Sequence, residues 1–441
     1  MRNQERYEVA KFGGWSLANG ERTKSAMDYV SANPDVHYVV PSGPGSVNDG
    51  DRKVTDHLID ITKAKNSGRS YQVYLDAVNA QFMGIADFLG YYDMARLLGS
   101  LEVGIANGQS DAWIISRGEA IEGKMLGELL DFRFVDPTEI IRFRKNGQLD
   151  ERSYGLIHSR LKGRDRFVIS GFYGLGADGQ IMTFPRDGSD ITGAVIARGI
   201  NASLYQNLTS IDGVLSADPR IVREKTRLIE KLTFEEYREL GNAGIKVLHR
   251  DTIIPVANVG IPINVRHSLK PESRGTMVVS KRPTVEGEDV IGIGGRGGIA
   301  SFNIHKFGMS EDKGIADRIL NIIQRSGISI DYPLAETDRL LVTFNQEQLT
   351  GQEDEILAKI RRIIKPLSAE LRKNVGFISI VGQGIRENRE RVSRMLFPAL
   401  DDASIKFSGF TSTPSGISIV VFVDSNMVDD AIRAAHRALI G

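Results

Sequence analysis

Between residue 7 and about residue 280, short β-rich runs alternate with helical stretches, and this alternation leaves the chain few possible architectures. Tyr7–Phe12, Val36–Val40, Ala112–Ile115, Phe167–Ser170, Ala202–Asn207 and Ile263–Arg266 read as strands. Arg22–Ser31, Lys53–Ala64, Glu119–Leu130, Asp190–Gly199 and Phe234–Gly241 read as helices between them. Strands separated by helices build a mostly parallel sheet covered on both faces. Ligands of such sheets gather beyond the carboxyl ends of the strands. The informative segments are therefore the loops that follow strands.

A polar stretch from Lys281 through Gly287 reads as a linker, and two similar units follow it. The first runs Ser301–Lys306 (strand), Asp312–Ser326 (helix), Ile328–Asp331 and Arg339–Phe344 (strands) and Glu353–Ile364 (helix). The second repeats the order with Phe377–Val381, Asn388–Leu400, Ser404–Phe407, Ile417–Val423 and Val428–Leu439. Each is a split βαββα pattern one strand short of a ferredoxin-like domain. The missing strand must come from elsewhere, and Asp289–Ile293 is the obvious donor. Gly292, Gly294 and Gly297 fit a GxGxxG fingerprint, but strand-like Ile299–Ile304 follows them. A dinucleotide site needs a helix there, so the fingerprint fails on context.

A chain of 441 residues suggests two to four domains. Lys and Arg total 56 and Asp and Glu total 56, so no net charge draws it to nucleic acid or an anionic membrane. Basic clusters such as Lys359, Arg361 and Arg362 read as solvated helix faces. With no cysteine, disulfides, thiolate metal sites and cysteine nucleophiles are excluded. The polar start, MRNQERYEVAKF, is unlike a signal peptide, and no apolar run reaches bilayer length, so a soluble, cytoplasmic protein is expected.

Four post-strand loops carry the chemistry. In Lys11-Phe12-Gly13-Gly14-Trp15-Ser16 the first strand delivers a lysine to a glycine turn. Paired glycines let backbone approach a ligand, a following helix offers N–H groups to an anion, and the lysine adds a point charge suited to phosphate. In the second loop, Pro41-Ser42-Gly43-Pro44-Gly45, the hydroxyl of Ser42 and that of Thr55 beyond it could fix a polar ligand, although Thr55 could equally be an N-cap. The third is Ser116-Arg117-Gly118-Glu119, whose glutamate either favours a helix dipole or meets an ammonium group. The fourth, Arg186-Asp187-Gly188-Ser189-Asp190, sets an arginine before a helix N-terminus, a good place for a carboxylate or phosphate. The histidines form neither a triad nor a metal set, so no metal ligands are predicted. Together the loops suit phosphoryl transfer onto a small zwitterionic amino acid. A carboxylate acceptor is already ionised at pH 7, so positioning and charge neutralisation suffice without a base.

KFGG near the start, SRGE at 116–119, Arg-x-Gly-Ser-Asp at 186–190, Asp218-Pro219-Arg220 and Gly244-Ile245-Lys246-Val247-Leu248-His249 occur in the order and spacing of the aspartate kinase family, which this chain closely resembles. The resemblance covers essentially the whole chain. It implies an α/β amino-acid-kinase-like fold with a parallel-rich sheet and helices on both faces over 1–280, and a linker at 281–288. Two C-terminal ferredoxin-like (ACT) βαββαβ domains would follow at 289–368 and 369–441, exchanging strands. The implied activity is ATP-dependent phosphorylation of the side-chain carboxylate of aspartate, with Mg²⁺ on the phosphates and feedback by an amino acid. A homodimer or homotetramer through the ACT domains is also implied.

By the same resemblance, Lys11, Arg186 and Asp190 belong to the reaction centre, with Lys11 stabilising the transferring phosphoryl group. Ser42, Thr55, Glu119, Phe172, Arg186 and Ser189 would hold aspartate, Glu119 on its amino group and Arg186 on its α-carboxylate. Lys11, Gly13, Gly14, Ser16, Thr209, Ser210, Arg220 and Lys246 would line the ATP site. Trp15, Asp187 and Ser210 stand where the family has Thr or Ser, Gly, and Asp. An alternative is a kinase for another amino acid, with Trp15 reshaping the pocket; a second is a weakly active or non-catalytic regulatory relative.

Overall fold

The computed structural model describes residues 7–48, 50–163, 165–185, 188–223, 226–245, 252–270, 272–284 and 287–441. It divides into two compact units. The first comprises Met1–Val214, Leu228–Tyr237 and Val247–Arg282; the second comprises Leu215–Arg227, Arg238–Lys246 and Pro283–Gly441. Segments 215–227 and 238–246, which the sequence groups with the first domain, thus cluster with the C-terminal unit.

In chain order the first unit holds strands β1 (Glu8–Phe12), β2 (Val36–Pro41), β3 (Arg133–Val135), β4 (Phe167–Ile169), β5 (Tyr173–Leu175), β6 (Ile181–Thr183), β7 (Leu204–Thr209), β8 (Lys231–Thr233), β9 (Ile263–His267) and β10 (Thr276–Val279). Its helices are α1 (Gly20–Ala32), α2 (Val54–Asn66), α3 (Gln72–Leu89), α4 (Met94–Ala106), α5 (Asp111–Ile115), α6 (Arg117–Leu130), α7 (Arg152–Leu161) and α8 (Gly188–Ile200). Helix α9 (Phe234–Asn242) begins in this unit and α10 (Ile254–Ala257) follows. Eight strands form one sheet in the order β3-β4-β2-β1-β7-β9-β10-β8, while β5 and β6 make a separate hairpin. The pairs β2–β4, β1–β2, β1–β7 and β7–β9 are all parallel. Neighbouring strands therefore finish on the same edge, with Phe12 opposite both Pro41 and Leu208.

Local sequence explains several boundaries. Asn19 caps α1 by accepting the Arg22 amide at 3.0 Å, a common way to satisfy an orphan donor. The expected strand at Ala112–Ile115 is instead helix α5. Its apolar run is too short for periodicity to decide. The Ser110 hydroxyl accepts the Trp113 amide at 3.2 Å and starts the helix, and the Trp113 ring fills the space beside Gly104, where a Cβ would lie 2.1 Å from it. Two unanticipated helices, α3 and α4, supply Val78, Phe82, Leu98 and Leu101 to a core shared with Leu58 and Ile61 of α2 and Ile121 and Met125 of α6.

In the second unit, β11 (Gly292–His305), α11 (Ile315–Arg325), β12 (Tyr332–Ala335), β13 (Arg339–Asn345) and α12 (Glu353–Ile364) are followed by β14 (Ser368–Val381), α13 (Ile385–Asp402), β15 (Phe407–Ser412), β16 (Ser418–Asp424) and α14 (Val428–Leu439). They form one antiparallel six-stranded sheet, β12-β13-β11-β14-β16-β15. Gly292–Gly295 pair with Ile378–Val381, and Ile304 and His305 pair with Ala369 and Ser368. Each βαββα repeat is thus completed by part of a long strand that also serves the other. The glycine fingerprint lies inside β11, so no helix follows it. The strands expected at Ile328–Asp331 and Ser404–Phe407 begin three to four residues later, at Tyr332 and Phe407. Ser404 has φ 56° and ends the turn after α13, so it cannot be extended. Among the described residues no helix is long and apolar enough to cross a membrane.

Arg282, expected in a solvated linker, is pinned within the first unit. Its guanidinium bonds Glu236 at 2.8 and 3.0 Å, with side chains only 4% and 0% exposed. Glu236 also accepts the Thr233 amide at 2.8 Å at the start of α9. Breaking such a pair strands a buried charge. Arg282→Ala should therefore lower unfolding free energy by about 3–5 kcal/mol, measurable as a fall in the urea midpoint. An unchanged midpoint would show the pair to be dispensable.

Candidate active site

The carboxyl ends of β1, β2, β4 and β7 converge on one edge of the first unit's sheet. Lys11 sits there, 6% exposed, its ammonium forming an ion pair with Asp190 in the first turn of α8. Asn207 of β7 donates to the same carboxylate at 2.9 Å, and the Tyr205 hydroxyl donates to the Asp190 carbonyl at 2.9 Å. A cation, an anion and an amide are thus fixed beneath the glycine turn.

The turn brings backbones unusually close. A Cβ on Gly14 would lie 2.7 Å from the Gly43 carbonyl oxygen, and one on Gly45 would lie 2.6 Å from the Gly14 carbonyl carbon. The Gly45 amide donates to the Gly14 carbonyl at 2.7 Å. Around Gly13 a Cβ would sit 3.7 Å from Lys11 Nζ and 3.8 Å from Thr209 Oγ1, so this glycine borders both. Such a bare backbone concavity beside a lysine fits an incoming phosphate.

Helix α6 forms the opposite wall. Gly43 packs on Gly118, and Glu119, 5% exposed, accepts backbone N–H bonds from Gly43 and from its own amide. Burial pushes the Glu119 carboxyl up to about 7, against the pull of those amides and of the Lys11 and Arg117 charges. Ser170, just past β4, donates to the Glu119 carbonyl at 2.9 Å. Arg117 lies 4.5 Å over the Trp113 ring and donates to the Trp113 carbonyl and the Ser116 hydroxyl.

The remaining expected positions fall as follows. Ser42, half-buried, follows β2, its amide bonded to the Phe12 carbonyl. Thr55 is inside α2, whose N-cap is Lys53 with Asp56 bonding back to it, so Thr55 is not a cap. Phe172 has φ 80°, a strained conformation for a bulky residue, held by the Thr192 hydroxyl on its amide at 2.9 Å. Ser189 packs against Gly171, where a Cβ would meet it at 2.6 Å. Ser16 is fully buried, its hydroxyl 2.8 Å from that of Ser268 and 3.4 Å from the Leu208 carbonyl, so it is committed to the protein rather than to a ligand. Ser210 is exposed just beyond β7. Arg220 belongs to the second unit, exposed and bidentate to Asp218. Arg186, Asp187 and Lys246 lie outside the described residues. The Trp15 ring is taken up by Arg22, 4.1 Å above it, and by His267, edge-on at 5.3 Å. These contacts give it a structural place beside the turn. Sequence reasoning gave no role to Asn207, nor to Glu122, which stands with Gly123 where the family commonly has Ser-Ala. The first is visible only as a polar residue inside a strand, the second as a glutamate three residues after Glu119.

Residues 6–267 match the family model described as Amino acid kinase family. Aspartokinase 3 of Bacillus subtilis (strain 168) is 30% identical over 451 aligned residues, covering 98% of each chain. The crystal structure of Clostridium acetobutylicum aspartate kinase, an allosteric enzyme, superposes with a TM-score of 0.84 at 31% identity, over 98% of this chain and 100% of that one. E. coli aspartokinase III, solved with aspartate and ADP in the R-state, gives 0.80 at 22% identity over 99% and 100%. The same enzyme with lysine and aspartate in the T-state gives 0.73. The chain belongs to the amino acid kinase family, among the aspartokinases.

The close approach at Gly14 sets a local test. Gly14→Ala forces a methyl onto the backbone of Gly43 and Gly45, so the thermal midpoint should fall by an amount equivalent to about 1–3 kcal/mol. A midpoint equal to wild type would mean that the turn is looser than its geometry.

Proposed function

We propose that the protein transfers the γ-phosphoryl group of ATP to the side-chain carboxylate of L-aspartate, giving 4-phospho-L-aspartate, with amino-acid feedback through the C-terminal unit. The observation that carries this is the buried Lys11 beside the bare Gly13–Gly14 backbone, facing Glu119 across the carboxyl ends of four parallel strands. That arrangement offers a cation and N–H groups to phosphate on one side and a carboxylate to an ammonium on the other. Whole-chain similarity to aspartokinases supports the same acceptor.

The chemistry needs little from the protein beyond placement and charge. Lys11 and the glycine turn meet the γ-phosphate, and Lys11 gains most as charge shifts in the transition state. Asp190 and Asn207 hold Lys11 in place. Ser42, Thr55, Phe172 and Ser189 surround the acceptor with Glu119 on its ammonium; Arg186 is assigned to its α-carboxylate. Thr209 and Ser210 are assigned to the nucleotide. Among the described residues no three His, Asp or Glu gather as metal ligands. The donor set fits Mg²⁺ carried on the phosphates with at most one or two carboxylates, and Asp190, beside Lys11, is the one that would help to hold it. When bound, the ion neutralises phosphate charge. For the C-terminal unit, the exposed Phe407 and Phe410 on edge strand β15 suit pairing with a second copy, and lysine is the first effector to try. A cytoplasmic biosynthetic role goes with this reading.

Trapping with hydroxylamine tests the acceptor: aspartate with Mg·ATP should yield the hydroxamate, and yield from another amino acid alone would replace aspartate. Lys11→Ala should lower kcat at least about a hundredfold with a modest change in KM. Undiminished turnover would remove Lys11 from the phosphate site. The pH dependence has a definite sign. Glu119 ionises as pH rises through about 7, and only the ionised form attracts an ammonium. KM for aspartate should therefore fall about tenfold from pH 6 to pH 8. A flat or rising KM over that range would take the ammonium away from Glu119.

A further inference from the structure

One buried carboxyl near the site has no use in the chemistry so far. Glu122 lies one turn beyond Glu119 on α6 and is 0% exposed, with both carboxyl oxygens unpartnered among the described residues. Residues 119, 122 and 126 share one helix face. Leu126 on that face packs against Ala10, Phe12, Val39 and Val168, so the face looks onto the strands whose ends build the site. The helix is held close to that edge, since a Cβ on Gly123 would lie 2.3 Å from the Ser170 hydroxyl.

The local charges do not balance around Glu122. Lys11 is paired with Asp190, and Arg117 bonds the Trp113 carbonyl and the Ser116 hydroxyl. Among the described residues the one charged group acting on Glu122 is Glu119, of the same sign. Glu119 itself keeps one oxygen, Oε2, buried without a partner. Three unpartnered carboxyl oxygens on one helix face match the three N–H donors of an ammonium group. A buried carboxylate is stable only when paired and hydrogen-bonded.

We propose that Glu122 is a specificity-determining residue of the acceptor subsite: its carboxylate and the free oxygen of Glu119 together receive the ammonium group of the amino-acid acceptor. The proposal rests on the aspartate kinase reading above. Burial and the neighbouring Glu119 push the Glu122 carboxyl well above the usual carboxylate range. An arriving ammonium favours the ionised form: any proton on the carboxyl leaves to solvent, and the carboxylate accepts N–H bonds. An acceptor lacking the ammonium, such as succinate, gains nothing from Glu122.

The test uses the full chain with Mg·ATP at pH 7.5, comparing wild type, Glu122→Gln, Glu122→Met and Glu119→Gln. Glu122→Gln and Glu122→Met should each raise KM for aspartate at least about tenfold, with kcat within about threefold and KM for ATP unchanged. The inhibition constant of succinate should stay within about twofold of wild type. Glu122→Met removes an unsatisfied buried carboxyl and should fold at least as well as wild type, which keeps the test open if the glutamine variant is unstable. A purely structural Glu122 would leave KM for aspartate within twofold in both variants, and that result overturns the proposal. If Glu119→Gln raises KM while the Glu122 variants do not, this inference fails alone. If none of the three moves KM, the acceptor does not sit on α6 and the functional reading fails with it.

Discussion

A lysine ammonium buried at the end of a central strand is the constraint around which the first unit is arranged. Lys11 is on β1, flanked on both sides by parallel neighbours, so water cannot solvate its charge. A counter-charge has to be supplied by the protein, and α8 supplies it with Asp190 in its first turn. That requires α8 to begin at the carboxyl edge of the sheet. Tyr205 and Asn207 of β7 then lock this first turn, and Gly193 leaves room for the Tyr205 ring, which a Cβ would meet at 2.6 Å. Pairing with Asp190 supplies the counter-charge without which a buried ammonium would be strongly destabilising.

Much of this was legible in the chain itself. The strand Tyr7–Phe12 running into two glycines is a weak signal alone, since such a turn is usually only a turn, and it gained weight from the other post-strand loops on the same edge. The parallel order followed from strands alternating with helices. Ala112–Ile115 was misread because four apolar residues have no period, and the deciding facts, a serine cap and a notch at Gly104, lie outside the run. The small offsets at Ile328 and Ser404 share one cause: in both repeats the chain leaves a helix through a left-handed residue, Gly327 or Ser404, before it can extend.

Burial was the least legible property. Ser16, beside the glycines, looked like a ligand contact, yet its hydroxyl is sealed against Ser268. Glu122 stands where the family commonly has a small residue, and only its burial and the place of Leu126 in a core shared with β1, β2 and β4 show that its face is an inner one. A single sequence carries the spacing of such residues but not the depth at which a neighbouring sheet will place them. Trp15 illustrates the opposite case. It departs from the family's usual small hydroxyl residue, but Arg22 and His267 occupy its ring on two sides.

The long strands of the C-terminal sheet have a consequence for how that unit can divide or deform. β11 and β14 each run 14 residues and belong to both repeats at once, so the boundary between repeats is crossed by continuous backbone rather than by a seam of side chains. Cutting the chain between the repeats would leave each half with an open sheet edge and a strand that has lost its partner. Sliding one half along the other would break the whole ladder between these strands together. The register does change at Arg296/Ile299, where β11 carries one extra residue, and again at Ile299/Ser301, where β14 does. Those positions interrupt the ladder and raise its local twist, so the shared strands are creased rather than flat where the two repeats meet.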